Sequence, residues 1–123
     1  DIFEWIRINA SAKLSVTDVA NFFNFTPEYM TRLTKKYFDT SLKSLICNFI
    51  VSQAKNLLLN SNYSIKEIAS ILEFNCSNSF IKFFKYHVHK TPMDYRHFYS
   101  RTTLNNNNEN KANGILLNEF KES

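Results

Sequence analysis

A chain of 123 residues has the length of one domain and can bury a packed hydrophobic core. Twelve Phe and six Tyr can fill that core, whereas one Gly and two Pro leave little material for the tight turns of an all-β fold, so helices are favoured. The formal net charge is +4, and residues 1 to 101 carry the excess, with 13 Lys/Arg against 8 Asp/Glu. This charge either indicates an anionic partner, nucleic acid first, or serves solubility alone.

The chain lacks the sequence features of an exported or membrane-spanning protein. No stretch approaches about 18 uninterrupted apolar residues, and the N-terminus lacks a basic region followed by an apolar one. Cys47 and Cys76 do not form the close-spaced pair of a zinc site, so both are expected to be reduced thiols. We therefore expect a soluble, cytoplasmic protein without a metal or cofactor.

Helix starts are marked in two ways. Residues 15–18 (SVTD) and 64–67 (SIKE) have the spacing of a capping box, in which a hydroxyl and a carboxylate satisfy exposed backbone N–H groups. The other signal is a Thr followed by a Pro at the first helical position, as at residues 26–27 and 91–92. Together with the apolar spacing, these signals predict an all-α fold of seven helices. The other three helices are expected at residues 2–11, at residues 42–59 and from Ser77 onward.

The chain contains an internal repeat. The stretch VTDVANFFNFTPEYM (residues 16–30) recurs as IKEIASILEFNCSNSF (residues 65–80), with paired positions 49 apart up to Phe25/Phe74 and 50 apart beyond them. Each copy reads as a short helix with Ala on its inner face, a short turn and a second helix, which is the pattern of a helix-turn-helix. The sequence therefore predicts two helix-turn-helix units.

The second helix of each unit has an inner and an outer stripe. The core-facing positions are Met30, Leu33, Thr34 and Tyr37 in the first unit and Phe80, Phe83, Phe84 and Val88 in the second. The outer positions are Glu28, Thr31, Arg32 and Lys35 in the first unit and Ser77, Asn78, Ile81, Lys82 and Lys85 in the second. A solvated helix face explains either outer stripe alone. The recurrence of the stripe, and an exposed Ile81 within it, favour recognition of a major groove, where Arg can pair with guanine, Asn with adenine and a methyl group with thymine.

The helix at residues 42–59 is expected to act as a rigid spacer roughly 27 Å long. It could hold the second helices of the two units about one duplex turn apart, roughly 34 Å, on one face of DNA. These patterns predict sequence-specific binding of double-stranded DNA at two successive major-groove segments. The alternative is a helical protein–protein interaction module with only incidental DNA affinity.

Residues 64–96 resemble the signature of the AraC/XylS family of bacterial transcription regulators, which reads roughly I-x-x-I-A-x-x-x-G-F, F-x-R-x-F-K and G-x-x-P-x-x-Y-R. The positions that carry the resemblance are Ile65, Ile68, Ala69, Phe74, Phe80, Lys82, Phe84, Lys85, Pro92, Tyr95 and Arg96. The resemblance extends over residues 3–98 and implies a homeodomain-like DNA-binding domain that usually acts as an activator touching RNA polymerase. The expected divisions are a first unit at about 1–40, a linking helix at about 41–60 and a second unit at about 61–101.

The resemblance also implies roles for individual residues. It places the base-reading positions at Glu28, Thr31, Arg32, Ser77, Asn78, Ser79 and Lys82, and the outer stripe adds Ile81. Phosphate contacts are expected from helix N-termini and their flanks. These positions are Ser15, Lys35, Lys36, Thr40, Ser41, Ser64, Lys85 and Thr91.

Six positions depart from the family pattern, five of them outside the start of a helix. Asp39, Glu73 and His89 stand where the family has glycine. Asp and His tolerate the left-handed backbone of a helix-ending glycine, whereas Glu does so less readily. Thr34 replaces a Phe and Ile50 replaces an Arg, which bears on the core and the specificity of the first unit.

The sixth departure lies at the start of the second helix of the second unit; this helix and its counterpart in the first unit are called the recognition helices below. Cys76 stands where a capping Ser or Asp is usual, so Asn75 or Ser77 is expected to cap this helix instead.

No catalytic constellation is recognisable in the sequence. A glycine-rich phosphate loop and a nucleophile with a base at a known spacing are both lacking, and His87 and His89 have no third metal ligand nearby in sequence. We therefore expect no enzymatic activity.

Residues 102–123 include the polar, Asn-rich stretch LNNNNENKANG (residues 104–114), which is expected to be a linker because it has too little apolar surface to form a core. The apolar ILLNEF that follows is expected to start another segment. The chain is therefore expected to be part of a longer protein whose sensor or dimerisation domain lies elsewhere.

Overall fold

The computed structural model describes residues 1–100, and every regular element in that range is an α-helix. The helices are α1 (Ile2–Asn9), α2 (Val16–Phe22), α3 (Pro27–Phe38), α4 (Leu42–Asn60), α5 (Ile65–Ile71), α6 (Ser77–Val88) and α7 (residues 92–100). The predicted all-α fold with seven helices is confirmed, although α1 is shorter than expected. The linker predicted at residues 102–123 lies outside the described residues. Within residues 1–100, no helix has both the length and the apolarity that crossing a membrane would need.

The capping signals in the sequence form the predicted hydrogen bonds. The Ser15 hydroxyl accepts from the Asp18 N–H at 3.0 Å, and the Asp18 carboxylate accepts from the Ser15 N–H at 3.0 Å. Ser64 and Glu67 repeat this pair at 3.0 and 2.9 Å, and the N–H donated by Ser64 lowers the pKa of the Glu67 carboxyl. Helix starts are therefore set by residues within one turn of each other.

The turns between the two helices of each helix-turn-helix unit have the same backbone geometry. After α2, Asn24 has a φ of 59° and the Phe25 N–H donates to the Ala20 carbonyl at 2.9 Å. After α5, Glu73 has a φ of 65° and the residue following it makes the equivalent bond, again at 2.9 Å. Both are Schellman turns, in which a left-handed residue ends the helix and redirects the chain. The internal repeat in the sequence is thus a repeat of backbone conformation.

A second pair of left-handed residues ends the longer helices. Asp39 follows α3 with a φ of 54°, and His89 follows α6 with a φ of 66°. Each donates its N–H to a lysine carbonyl four residues earlier, at 2.9 Å in the first unit and 2.8 Å in the second. The expectation that Asp and His adopt the left-handed conformation here is confirmed.

One face of α4 forms the centre of the core. It packs against α1 and α3 of the first unit and against α5 and α6 of the second. The buried residues of this face are Leu42, Leu45, Ile46, Ile50, Ala54 and Leu58. The two units therefore share one core.

The core of the first unit departs from the prediction at Tyr37. Met30 and Thr34 are fully buried as expected, and the Thr34 hydroxyl donates to the Met30 carbonyl at 2.8 Å, so this polar group is satisfied. The prediction that Tyr37 faces the core was wrong, since it is 62% exposed. The last turn of α3 extends past the core, and there the Tyr37 ring lies edge-on to Phe3 of α1, with a centroid distance of 6.2 Å.

Arg96 of α7 caps the C-terminus of α4. Its Nε donates to the Leu58 carbonyl at 2.8 Å, and one terminal nitrogen lies 3.4 Å from the carbonyls of both Leu57 and Ser61. The final carbonyls of a helix have no partner within the helix, so a partly buried guanidinium satisfies them well. The motif arginine is thus a structural residue that fixes α7 to the long helix.

The turn of the second unit also contacts the first unit. The Ala12 N–H donates to the Leu72 carbonyl at 2.9 Å, and the Ser11 hydroxyl donates to the Glu73 carboxylate at 2.6 Å. This contact gives Glu73 a role that glycine could not fill, because its side chain bonds to the loop before α2 while its backbone is left-handed.

We expect Arg96→Met to lower the free energy of unfolding by about 1–3 kcal/mol, because the α4 carbonyls lose a charged donor while most of the aliphatic packing remains. Urea unfolding measures this change. Lys66→Met, which removes an exposed cation from α5, is the control and should shift stability by less than about 0.5 kcal/mol. Unchanged stability in Arg96→Met would contradict the capping role.

We expect the effect of Glu73→Gly to depend on Ser11. Glycine removes about 1 kcal/mol of backbone strain at this left-handed position, but the variant also loses the hydrogen bond from Ser11, which is worth about 0.5–1.5 kcal/mol. The free energy of unfolding of the single variant should therefore be nearly unchanged. In a Ser11→Ala background the hydrogen bond is already absent, so Glu73→Gly only removes backbone strain and should stabilise the protein. A thermal-unfolding double-mutant cycle tests this, and strict additivity of the two changes would contradict it.

Candidate nucleic-acid interface

The outer stripe of α3 lies on the solvent side of the first unit. Glu28, Thr31 and Arg32 are exposed, whereas Met30 and Thr34 on the opposite side are fully buried. The capping Thr26 and the proline that follows it start α3 just before this stripe. The turn at Asn24 and the cap at Thr26 therefore determine where the three side chains are presented.

These three side chains offer different chemistry. The Thr31 hydroxyl donates to the Pro27 carbonyl at 2.9 Å, so its proton is engaged within the helix and its methyl group remains available for an apolar contact. Glu28 lies in the first turn of α3, where a carboxylate also interacts favourably with the helix dipole. Arg32 provides a planar, multiple donor that suits paired acceptors such as guanine O6 and N7.

The predicted base-reading positions of α6 lie on the same part of the helix as those of α3. Asn78, Ser79 and Lys82 are exposed, while Ser77 is half-buried. The fully buried Phe80 anchors the opposite side. The base-reading positions of each helix therefore form a short polar edge that contains one cation, Arg32 in α3 and Lys82 in α6.

Ile81 is less exposed than the sequence indicated. The prediction of an exposed Ile81 was wrong, because the side chain is half-buried. At 3.6 residues per turn it lies only about 60° around α6 from Phe84, which is fully buried, so it occupies the boundary between stripe and core. Part of its apolar surface still borders the polar edge.

Cys76 is the N-cap of α6, and the expectation that Asn75 or Ser77 caps this helix was wrong. Its backbone is extended, with φ −156° and ψ 166°, but its side chain makes no capping hydrogen bond. Instead, the sulfur lies 3.3 Å from the Ser79 hydroxyl, and this hydrogen bond lowers the pKa of the thiol. The Ser79 side chain is therefore already engaged by the start of its own helix.

The hydroxyl residues predicted to contact phosphate are mostly helix N-caps. Ser15, Ser64 and Thr91 each accept a backbone N–H three residues later, at 3.0 to 3.1 Å, which leaves the hydroxyl proton able to bind an anion. Ser41 accepts in the same way at 3.1 Å but lies 3.0 Å from the Ser44 hydroxyl, to which it donates. Thr40 beside it is half-buried.

The lysines predicted to contact phosphate differ in their surroundings. Lys35 forms an exposed ion pair with Asp39 at 3.0 Å, and the Lys36 ammonium lies 5.4 Å from the centre of the Tyr37 ring. Lys85 is exposed on α6 at the position equivalent to Lys35, where a histidine takes the place of Asp39. The positive charge of the second unit is thus less neutralised locally.

Within residues 1–100, no three His, Cys, Asp or Glu side chains come together in a way that could hold a metal ion. The His87 ring lies 4.5 Å from the Phe83 ring, and the second histidine is the left-handed cap of α6.

Comparison with known proteins agrees with the observed fold. A family model described as a helix-turn-helix domain matches residues 19–97. The transposon Tn10 TetD protein of Escherichia coli is 35% identical over 96 residues, which cover 78% of this chain and 70% of TetD. The chain spans only about a third of three longer regulatory proteins that it also matches.

Solved structures have the same arrangement of helices. The C-terminal domain of AraT, a response regulator from Geobacillus stearothermophilus, has a TM-score of 0.72 and 26% identity, over 79% of this chain and 81% of that one. The DNA-binding domain of AdpA, solved in complex with a target DNA, has a TM-score of 0.73 and 20% identity, over 82% and 91% of the two chains. The chain belongs to the AraC-type family of helix-turn-helix proteins, which are DNA-binding transcription regulators.

Proposed function

We propose that this chain binds double-stranded DNA sequence-specifically by inserting α3 and α6 into two successive major-groove segments. The observation that carries the proposal is the duplicated unit, in which the same left-handed turn leads into a recognition helix with an exposed polar edge. Both units are fixed to α4, whose 19 residues span roughly 28 Å. That length suits recognition helices spaced by about one duplex turn, roughly 34 Å.

The first recognition helix supplies three kinds of base contact. Arg32 donates to the O6 and N7 of a guanine, and the outward methyl group of Thr31 contacts a thymine methyl. Glu28 accepts from a cytosine amino group, since at any other position near the phosphates its charge would be repelled. These roles favour a first segment that contains G·C pairs.

The second recognition helix reads a chemically different segment. Asn78 pairs with an adenine, and Lys82 donates to a guanine. Ser77 and the partly exposed Ile81 flank this edge and limit which bases fit, whereas Ser79 acts mainly by orienting Cys76. Because the two edges differ, the preferred site is asymmetric.

Phosphate contacts fix the register of each unit on the duplex. The caps Ser15 and Ser64 occupy equivalent positions before α2 and α5, and Ser41 and Thr91 do so before α4 and α7. Thr40 and the lysines of the last turns of α3 and α6 extend this set. The DNA complex of the structurally similar AdpA domain supports such a mode of binding.

The chain acts, in this proposal, as part of a cytoplasmic regulator rather than as an enzyme. A sensor or dimerisation domain outside the chain would control it, and activation through RNA polymerase is the expected output. A protein-docking role for the outer stripe of α6 is disfavoured, because the half-buried Ile81 offers a partner little apolar surface.

We expect Arg32→Ala to weaken binding by about 1–3 kcal/mol through one base position only. Binding of the variant to a panel of duplexes that changes one base pair at a time measures this effect. Arg7→Ala, which removes an exposed arginine paired with Glu4 on α1, is the matched control and should leave base preference unchanged. An equal loss on all duplexes for Arg32→Ala would contradict its reading role.

We expect Lys85→Ala to weaken binding to all sequences alike. The slope of the logarithm of the binding constant against the logarithm of the salt concentration should become smaller by about one, because one phosphate contact is lost. Lys35→Ala should do the same to a smaller extent, because its ion pair with Asp39 already offsets part of the charge. Asp39→Asn keeps a residue that tolerates left-handed backbone and should strengthen binding. Titrations at several salt concentrations test this order, and a larger effect of Lys35→Ala would contradict it.

A further inference from the structure

A cleft of about 420 Å³ lies between the two helix-turn-helix units. Leu14 and Val16 line it from the first unit, Phe74 and Phe83 line it from the second, and α4 forms its floor. Packing voids in protein interiors are seldom larger than a water molecule, whereas ligand sites have volumes of about 300–1,000 Å³. The cleft is therefore large enough for a small molecule.

The walls of the cleft are mainly apolar. The four residues that line it from the two units are half-buried, so they retain surface that an occupant could cover. Ile46 and Ile50 are buried in the floor, and Ile50 stands where the family resemblance implies an arginine. An apolar occupant would remove this surface from water, which is the dominant source of affinity in such sites.

The polar groups of the lining favour an anion at one end. Lys43, in the first turn of α4, is exposed and is the lysine among the lining residues, with the Ser15 hydroxyl also present. The lining residue Ser11 donates its hydroxyl to the Glu73 carboxylate, so a negative charge lies beside that part of the cleft. Charge therefore directs an anionic group towards Lys43 and away from Glu73.

We propose that this cleft binds an apolar monocarboxylate, with its hydrocarbon part between Val16 and Phe83 and its carboxylate at Lys43. Because the walls belong to different units, the ligand contacts both at once. The cleft shares Ser15 with the phosphate contacts proposed above but contains none of the base-reading residues, so the proposal does not depend on how bases are read.

Octanoate and its neutral analogue octanamide are suitable probes for the full chain. Titration calorimetry measures their affinity, and amide chemical shifts locate the site, with octanoate kept below its micelle-forming concentration. We expect both ligands to shift the amide signals of cleft residues, and octanoate to bind more tightly. Absence of binding at millimolar concentration, or shifts confined to another surface, would overturn the proposal.

Two variants separate the charge from the apolar cleft. Lys43→Gln should weaken octanoate binding by about two- to fivefold, the range of an exposed ion pair, without changing octanamide binding. Lys66→Gln, at an exposed lysine outside the lining, is the control and should change neither. Equal octanoate affinities in the two lysine variants would overturn the assignment of the carboxylate end.

Ala12→Phe places a large side chain at the mouth of the cleft, because Ala12 is exposed and belongs to the lining. It should abolish binding of both ligands while the thermal unfolding transition is retained. Undiminished octanoate binding in a folded Ala12→Phe variant would place the site elsewhere. If this variant does not fold, the lysine pair still decides the proposal.

Discussion

The apolar face of α4 packs against helices of both helix-turn-helix units, and this shared burial determines how the two recognition helices are held. Each unit alone has about half of a small domain's chain and would bury too little surface to be stable. A continuous helix between them solves two problems at once. It supplies both units with core residues such as Leu45 and Leu58, and it keeps them at a fixed distance because an α-helix is stiff along its axis.

The elements that the sequence predicted well are those that depend on neighbouring residues. The capping boxes at Ser15 and Ser64 lie within one helical turn, so residue type and spacing alone determine them. The apolar periodicity predicted the direction in which side chains point, but it did not predict where along or around a helix the buried surface ends. Tyr37 and Ile81 were misjudged for that reason, because one lies past the end of the core and the other at its edge.

Contacts between distant parts of the chain were beyond sequence reasoning. Ser11 and Glu73 are 62 positions apart, and Arg96 reaches carbonyls 35 to 39 positions away. The resemblance marked Arg96 as a motif residue without indicating that it caps α4. Lys43 and the cleft that it lines were also missed, because residues from three separate stretches form the cleft and no short pattern contains them. For the candidate interface, the sequence supplied the residues, and the structure added which hydroxyls and lysines are already engaged by neighbours.

The hydrogen bonds from the loop before α2 to the turn after α5 have a consequence for how the protein comes apart. Repeat proteins whose units touch only their sequence neighbours can unravel from one end. Here the loop that opens the first unit is completed by backbone and side-chain groups of the second, so neither half can open without exposing polar groups of the other. Melting should thus be cooperative over residues 1–100, at the cost of slower folding, since the ends of a long loop must first meet.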